Sequence, residues 1–322
     1  MTEPEPTTVL PPLSIVIPVY NRADRLPRTL QSVWEQDFRP LQLILVDNAS
    51  TDRSLEVCQQ FAATHDNRDG FRVKVLHQPK RGAACARNRG LEHCDTPYVY
   101  FFDSDDAMSP HFVSAVVPAM EAGNLDVLAV KTNMHVGGHT RVRDFRYSAS
   151  PVDQVLMGNL ATVSAVYRTG FVAALRWDED LLTWDDWEFG LRVLLARPRL
   201  QWHREEAFHH IDVHTDSITG KDFSSTYAWI RKALAAARRD IEQACPAGTA
   251  ERIALDKALY LRHTILEGWL LREQAVTSAR ECHAEATACY TPSFWLRTTA
   301  SLLRTYVRLG GRGAWRIALA LC

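Results

Sequence analysis

The sequence predicts an α/β protein with a mostly parallel sheet flanked by helices and a helical C-terminal extension. Two observations carry this. Between Leu13 and Phe102, four short β-rich runs alternate with segments whose apolar residues recur at helical spacing, the pattern of right-handed β-α-β crossovers. From Phe223 onward the apolar residues fall three and four apart, with Arg and Lys between them, as in packed amphipathic helices.

The elements follow in order. Leu13 to Val19 is a β-branched run ending near Pro18 and leads into a Tyr20-Asn21-Arg22 loop. Leu26, Leu30 and Val33-Trp34 mark a helix, and Leu41 to Val46 is a second buried strand closing on Asp47-Asn48-Ala-Ser-Thr-Asp52. Leu55, Cys58 and Phe61 give the next helix its stripe, Val73 to Leu76 is a third strand, and Gly82 to His93 is a further helix. The fourth strand, Tyr98 to Phe102, is five consecutive apolar residues, which suits a strand covered on both faces. It breaks into Asp103-Ser-Asp-Asp106, and Ser109-Pro110 reads as the N-cap and first residue of the next helix.

Composition narrows the function. With 322 residues and 46% hydrophobic content the chain buries a large core, and a formal net charge of −1 gives no global reason for a nucleic-acid partner. Seven cysteines lack Cys-x-x-Cys spacing, which argues against a zinc site or a disulfide framework and fits a reducing cytosol. Met1 to Pro12 is polar and proline-rich, expected to be a disordered tail without the features of a signal peptide. No Gly-x-Gly-x-x-Gly follows the first strand and no Gly-x-x-x-x-Gly-Lys-Ser/Thr occurs, which disfavours dinucleotide oxidoreductases and P-loop kinases.

Ligands of open α/β sheets bind outside the C-terminal ends of the strands, so the polar residues there are the candidate site. Asp103 and Asp105, two apart in a turn, can reach one hard divalent cation or a water-bridged phosphate; a simple polar turn is the alternative. Asp47 and Asn48 can hydrogen-bond a ribose or a base edge, or form an Asx turn before a helix. In Gly82-Ala-Ala-Cys-Ala-Arg-Asn-Arg-Gly90, Arg87 and Arg89 can face a diphosphate or line a solvated face. Trp184-Asp-Asp-Trp-Glu188 opens another helix: acids there complement the helix dipole, while flanking tryptophans suggest a partly dry cleft suited to a general base.

Together, Ser14-Ile-Val-Ile-Pro-Val-Tyr-Asn21, Ser32-Val33 with Gln36, Val46-Asp-Asn-Ala-Ser-Thr-Asp52, Gly82 with Ala86-Arg87-Asn88-x-Gly90, and Phe102-Asp-Ser-Asp-Asp106 resemble the family 2 glycosyltransferases. The resemblance implies a Rossmann-like, nucleotide-sugar-binding GT-A domain over residues 13–220, with a nucleotide-sugar half at 13–124 and an acceptor half at 125–220, followed by a helical region at 221–322. It implies an inverting transferase using Mn2+ or Mg2+, a nucleoside-diphosphate sugar (a UDP-sugar first among them) and a saccharide or lipid-linked saccharide acceptor. Pro18, Tyr20, Asn21, Asp47, Asn48, Arg87, Asp103 and Ser104 would bind the donor, Asp105 and Asp103 the metal, and Asp186 would be the base. His214, in a His-x-x-Ser-Ile-Thr stretch, would reach the metal, with His209 as its rival. A non-catalytic nucleotide-sugar binder is the alternative.

The last segment stands outside the resemblance. From Ala286 to the end, five arginines and no acid interleave with Phe294, Trp295, Leu302, Tyr306 and Trp315. That suits either an amphipathic pair on an anionic membrane surface, formed by residues 290–322, or a basic hairpin docked on protein. A cytoplasmic location, peripheral at the inner face of the membrane, is the corresponding expectation.

Overall fold

The computed structural model describes residues 13–136, 139–142, 146–212 and 222–322; the N-terminal tail and His214 lie outside them. The chain separates into two compact units. A sheet unit comprises Met1–Arg143, Thr162–Glu179 and Pro198–Val213, and a helical unit comprises Asp144–Ala161, Asp180–Arg197 and His214–Cys322.

In the sheet unit, β1 (Leu13–Val19), β2 (Leu41–Asp47), β3 (Phe71–His77) and β4 (Tyr98–Phe101) form a parallel layer in the order β3-β2-β1-β4. The connecting helices are α1 (Leu26–Trp34), α2 (Ser54–His65) and α3 (Ala83–Leu91), as the sequence periodicity predicts. Val19 pairs with Asp47 and Leu13 with Tyr98, so the C-terminal ends of β2, β1 and β4 share one edge. Leu13, Ile15, Ile17, Leu43, Leu45, Tyr100 and Phe102 pack into one core. On the opposite face, the buried Ser14 hydroxyl donates to Gln42 Oε1 at 2.5 Å and meets the Thr96 hydroxyl at 2.7 Å, while the Gln42 amide nitrogen is enclosed without a partner among the described residues. A Cβ at Gly90 would lie 2.3 Å from Val16 Cγ1; only glycine lets α3 approach β1 this closely.

Beyond β4 the order continues β8-β6-β9-β5. Here β5 is Ala107–Met108, β6 Val127–Val136, β8 Ala165–Arg168 and β9 Leu200–Asp212. The hairpin strand β7 (His139–Val142) pairs with β6. β8 runs antiparallel to β4 and β6, while β6 and β9 are parallel. One expectation needs correcting: α4 begins at Phe112, not at Ser109-Pro110. The Ser109 amide donates to the Phe208 carbonyl at 2.7 Å and Gln36 Nε2 donates to the Ser109 carbonyl at 2.9 Å, so Ser109 stays with the sheet edge and Pro110-His111 make a turn before the helix starts.

The helical unit contains α5 (Pro151–Met157), α7 (Asp185–Leu195), α8 (Phe223–Ala244), α9 (Ala250–Arg272), α10 (Val276–Cys289), α11 (Phe294–Arg308) and α12 (Ala314–Leu321). The short α6 (Thr169–Leu175) belongs to the sheet unit. The core of the helical unit gathers Leu191 of α7, Ile230 and Leu234 of α8, Leu255, Leu259 and Leu266 of α9, and Leu303 and Val307 of α11. Among the described residues, no helix is long and apolar enough to cross a membrane.

Candidate active site

In the sheet unit, the candidate residues sit where three neighbouring parallel strands end. Asp47 closes β2, almost fully buried, with Oδ2 3.1 Å from His77 Nδ1. Its other oxygen, Oδ1, is enclosed and has no hydrogen-bond partner among the described residues. A buried, unmatched carboxylate oxygen is costly unless a donor arrives, so Asp47 is set up to accept one.

Near the end of β1 Pro18 is half-buried, and just after the strand Tyr20 is exposed, with the Arg81 guanidinium 5.1 Å from its ring centre. Asn21 holds a left-handed backbone (φ 50) and its Oδ1 accepts from the Thr51 amide at 2.8 Å, tying the two strand-end loops together. Asn48 behaves differently from a pocket-facing amide. Nδ2 donates to the carbonyls of Gln78 (3.1 Å) and Lys80 (2.7 Å), and Oδ1 accepts from the Gly82 amide at 2.8 Å. Both amide hydrogens are therefore committed to the loop before α3, where Gly82 takes a backbone (φ 134) that suits glycine alone.

After β4, each carboxylate of Asp103-Ser-Asp105 meets an arginine. Arg87 Nη2 donates to Asp103 Oδ1 at 3.1 Å, and Arg22 Nε donates to Asp105 Oδ2 at 3.2 Å. Ser104 is buried between them in the chain, and Asp106, also buried, offers its carbonyl to Thr29. Arg87 is itself buried against Trp177, 4.6 Å from its ring centre, so its charge is turned onto Asp103, whereas Arg89 is half-buried and pairs with Glu92. The next residue, Asn88, exchanges hydrogen bonds with the backbone of Trp177 and donates to Glu179. These bonds explain the Arg-Asn pair of the α3 motif. Arg22 is the site residue that sequence reasoning passed over; its only signal was its place directly after Tyr20-Asn21.

Asp103 and Asp105 offer hard carboxylate oxygens on a three-residue segment, a donor set that fits Mn2+ or Mg2+ when a diphosphate supplies further oxygens. No group of three His, Cys, Asp or Glu side chains arranged to hold a metal occurs among the described residues. His209 belongs to the core: it is fully buried, it hydrogen-bonds the Tyr100 hydroxyl through Nε2, and burial pushes its pKa down to about 3. His210 pairs with His135 at 3.0 Å, and the His203 ring packs on Phe208.

The helical unit carries Asp186. Trp184 precedes α7 in a left-handed conformation (φ 57), rare for a bulky residue and a mark of local strain. Asp185 and Asp186 occupy the first turn, both half-buried, and Asp186 Oδ1 accepts from the Trp187 amide at 2.8 Å. Trp187 is anchored through Nε1 to the carbonyls of Gln154 and Val155, both at 3.1 Å. Glu188, by contrast, is buried and paired with Arg192, so it is a structural acid.

Residues 14–178 match the sequence profile of glycosyl transferase family 2, just over half of the chain. Uncharacterized glycosyltransferase YibD of Escherichia coli (strain K12) is 34% identical over 115 residues, covering 36% of this chain and 32% of that protein. Glycosyltransferase GlyG of Streptococcus pneumoniae serotype 4 is 34% identical over 117 residues, covering 36% of this chain and 37% of that protein. The chain thus spans about a third of the length of these curated relatives. Among solved structures, Staphylococcus aureus TarS 1–349 in complex with UDP-GlcNAc superposes with a TM-score of 0.69 at 18% identity, over 95% of this chain and 90% of that one. Mannosyltransferase PcManGT from Pyrobaculum calidifontis, in complex with GDP-Man and Mn2+, gives 0.58 at 19% identity, over 98% and 87%. The structural likeness establishes the GT-A fold; the profile match, which runs from β1 through the acids after β4 to Asp178, places the chain in glycosyl transferase family 2.

Proposed function

We propose that the protein is an inverting glycosyltransferase that moves a sugar from a nucleoside diphosphate, a uridine diphosphate first among them, to an acceptor hydroxyl in surface polysaccharide or glycoconjugate synthesis. One observation carries the reading. Three adjacent strands deliver Asn21, Asp47 and the Asp103/Asp105 pair to one edge of the sheet, and Asp47 keeps a buried acceptor atom open. The relatives support the donor class: TarS is described with UDP and with UDP-GlcNAc, and PcManGT with GDP-Man. For the acceptor class, the support comes from relatives named as a poly(ribitol-phosphate) β-N-acetylglucosaminyltransferase and a teichoic acid poly(glycerol phosphate) polymerase.

The roles follow from the chemistry. Asp47 Oδ1 accepts an N–H of the base, Tyr20 and Pro18 flank the nucleoside, and Asn21 with Ser104 shapes the strand ends around the ribose. Asn48 holds the 78–82 loop, and Arg87 fixes Asp103. Asp105 and Asp103, together with His214 of the sequence motif, would hold Mn2+ or Mg2+, which when bound would supply positive charge against the departing diphosphate. Asp186 takes the proton from the acceptor hydroxyl; that oxygen bonds to the anomeric carbon as the bond to the diphosphate oxygen breaks, and attack from the opposite face inverts the centre. The acceptor is a saccharide or a lipid-linked saccharide, met at the inner face of the membrane by a cytoplasmic enzyme.

A screen of nucleoside-diphosphate sugars for thermal stabilisation, with and without Mn2+, tests the reading, because a ligand bound to the folded state alone raises stability by mass action. Manganese-dependent stabilisation by one sugar nucleotide, followed by its turnover with a saccharide acceptor, is expected. Stabilisation by none of them would overturn the donor class.

A further inference from the structure

We infer that the outer face of α11, continued by α12, is a docking surface for an anionic lipid membrane, which names the partner surface at which the proposed acceptor is met. The inner face of α11 is already satisfied: Leu296, Ala300, Leu303 and Val307 are buried, a Cβ at Gly268 of α9 would lie 2.7 Å from Val307 Cβ, and Arg304 donates to Glu267 at 2.9 Å. The opposite face should then be polar. Instead it exposes Phe294 (73%), Trp295 (76%), Leu302 (67%), Tyr306 (41%) and Leu309 (82%), while α12 exposes Ile317. At roughly 100° per residue, the five side chains from Phe294 to Leu309 fall within about 120° of arc, separate from the buried stripe. Single exposed apolar residues are ordinary, but a second apolar stripe on an already packed helix marks a surface awaiting a partner.

Charge identifies the partner. Arg297, Arg308, Arg312 and Arg316 are exposed, and no Asp or Glu follows Glu285. A second copy of the chain is disfavoured, since symmetric pairing through this face would set arginines against arginines with no acid to neutralise them. A nucleic-acid backbone would match the arginines yet leave Phe294, Leu302 and Leu309 against phosphates. An anionic bilayer matches both: aromatic and aliphatic side chains enter the boundary between headgroups and acyl chains, and arginines extend along it to the headgroups. At 15 and 8 residues, α11 and α12 are too short to span, so the helices lie in the plane of the surface.

The test is vesicle sedimentation of the full chain without any donor, so its outcome is independent of the transfer chemistry. Wild-type protein should pellet with vesicles of phosphatidylglycerol and phosphatidylcholine at roughly 50 mM salt, and at least about tenfold less with phosphatidylcholine alone or at roughly 500 mM salt, because screening weakens the headgroup contacts. A Trp295→Ser, Leu302→Ser, Leu309→Ser triple variant alters exposed positions only and should keep its thermal melt while losing at least about tenfold in vesicle affinity. Wild-type protein remaining in solution at low salt overturns the inference. So does a triple variant that binds as wild type, or a wild-type dimer in size-exclusion chromatography that the triple variant dissolves, which would make the face a self-association surface.

Discussion

The Arg262 guanidinium of α9 lies 4.4 Å from the ring centre of Trp184 and 5.6 Å from that of Trp187, the two tryptophans that bracket Asp185 and Asp186. Arg262 is partly exposed as a residue, but its Nε is enclosed and lacks a partner among the described residues, and Nη1 donates to the Leu156 carbonyl at 3.0 Å. Burial lowers its pKa to about 10, so it stays charged at neutral pH. A buried cation held by two indole faces clamps the strained turn at Trp184 and thereby positions Asp186. Arg262→Met keeps bulk but removes the cation–π attraction, worth about 1–2 kcal/mol when desolvated, and should lower turnover several-fold with unchanged donor affinity. Arg262→Lys, which keeps the charge without the planar face, should fall between. Equal kcat for all three proteins would show that the clamp does not position the base.

On the proposed metal site, Asp105→Ala should abolish Mn2+-dependent donor binding, because it removes one of the few carboxylates proposed as ligands. It also frees Arg22 from its 3.2 Å ion pair, so some metal-independent attraction for diphosphate should persist. At a nucleoside diphosphate concentration about 100-fold above Kd, wild type should gain about 2.7 kcal/mol from binding in the presence of Mn2+, and the variant should gain no more with Mn2+ than without. Calorimetry showing an undiminished Mn2+ effect in the variant would remove Asp105 from the metal site.

The parts of this chain legible in its sequence are those where one physical signal dominates. β1, β2 and β4 are buried on both sides and therefore read as apolar runs, and the acids that end β2 and β4 stand out against them. β9 was hidden because Gln201, His203, Arg204, Glu205 and Glu206 interrupt any apolar pattern; the strand exists through its pairing with β6. α5 and α6, at seven residues each, are too short for a helical period to declare itself. In the site, Asp47, Asp103 and Asp105 were readable as residues, but Arg22–Asp105 spans 83 positions of sequence and no local rule connects them. Glu188 shows the opposite difficulty. It is two residues from Asp186, and roughly 200° of helical rotation turns it inward to Arg192.

The buried acid Glu188 also shapes the pH dependence of stability. Burial, then the neighbouring Glu188 carboxyl, pushes the Asp240 pKa on α8 up to about 7, with Arg192 and Arg239 acting in the other direction. Folding therefore favours protonated Asp240, and its contribution is fully present below the ordinary aspartate pKa and lost as pH rises toward 7. Asp240→Asn supplies a permanent donor to Glu188. The variant should melt higher than wild type at pH 8, with the advantage shrinking toward pH 5. A difference in melting temperature that stays constant between pH 5 and pH 8 would show that Asp240 does not titrate in this range.

Asp186→Asn tests the proposed base with the least structural disturbance. The asparagine Oδ1 can accept the Trp187 amide as Asp186 does at 2.8 Å, so the first turn of α7 should survive, and the helix loses only one favourable charge at its N-terminus, worth about 0.3–1 kcal/mol. What it cannot do is take a proton from the acceptor hydroxyl. Turnover should therefore fall roughly a hundredfold or more, the usual contribution of a positioned general base, while donor affinity stays near wild type, because the donor residues belong to the sheet unit. Asp185→Asn is the control: it alters the same helix turn and the same net charge, and should lose far less. If Asp186→Asn turns over at the wild-type rate and Asp185→Asn does not, the base is Asp185. If both variants turn over at the wild-type rate, neither carboxylate in the first turn of α7 is the base; if the wild type binds donor yet transfers to no acceptor, a sugar-nucleotide binder that retained the fold is the better account.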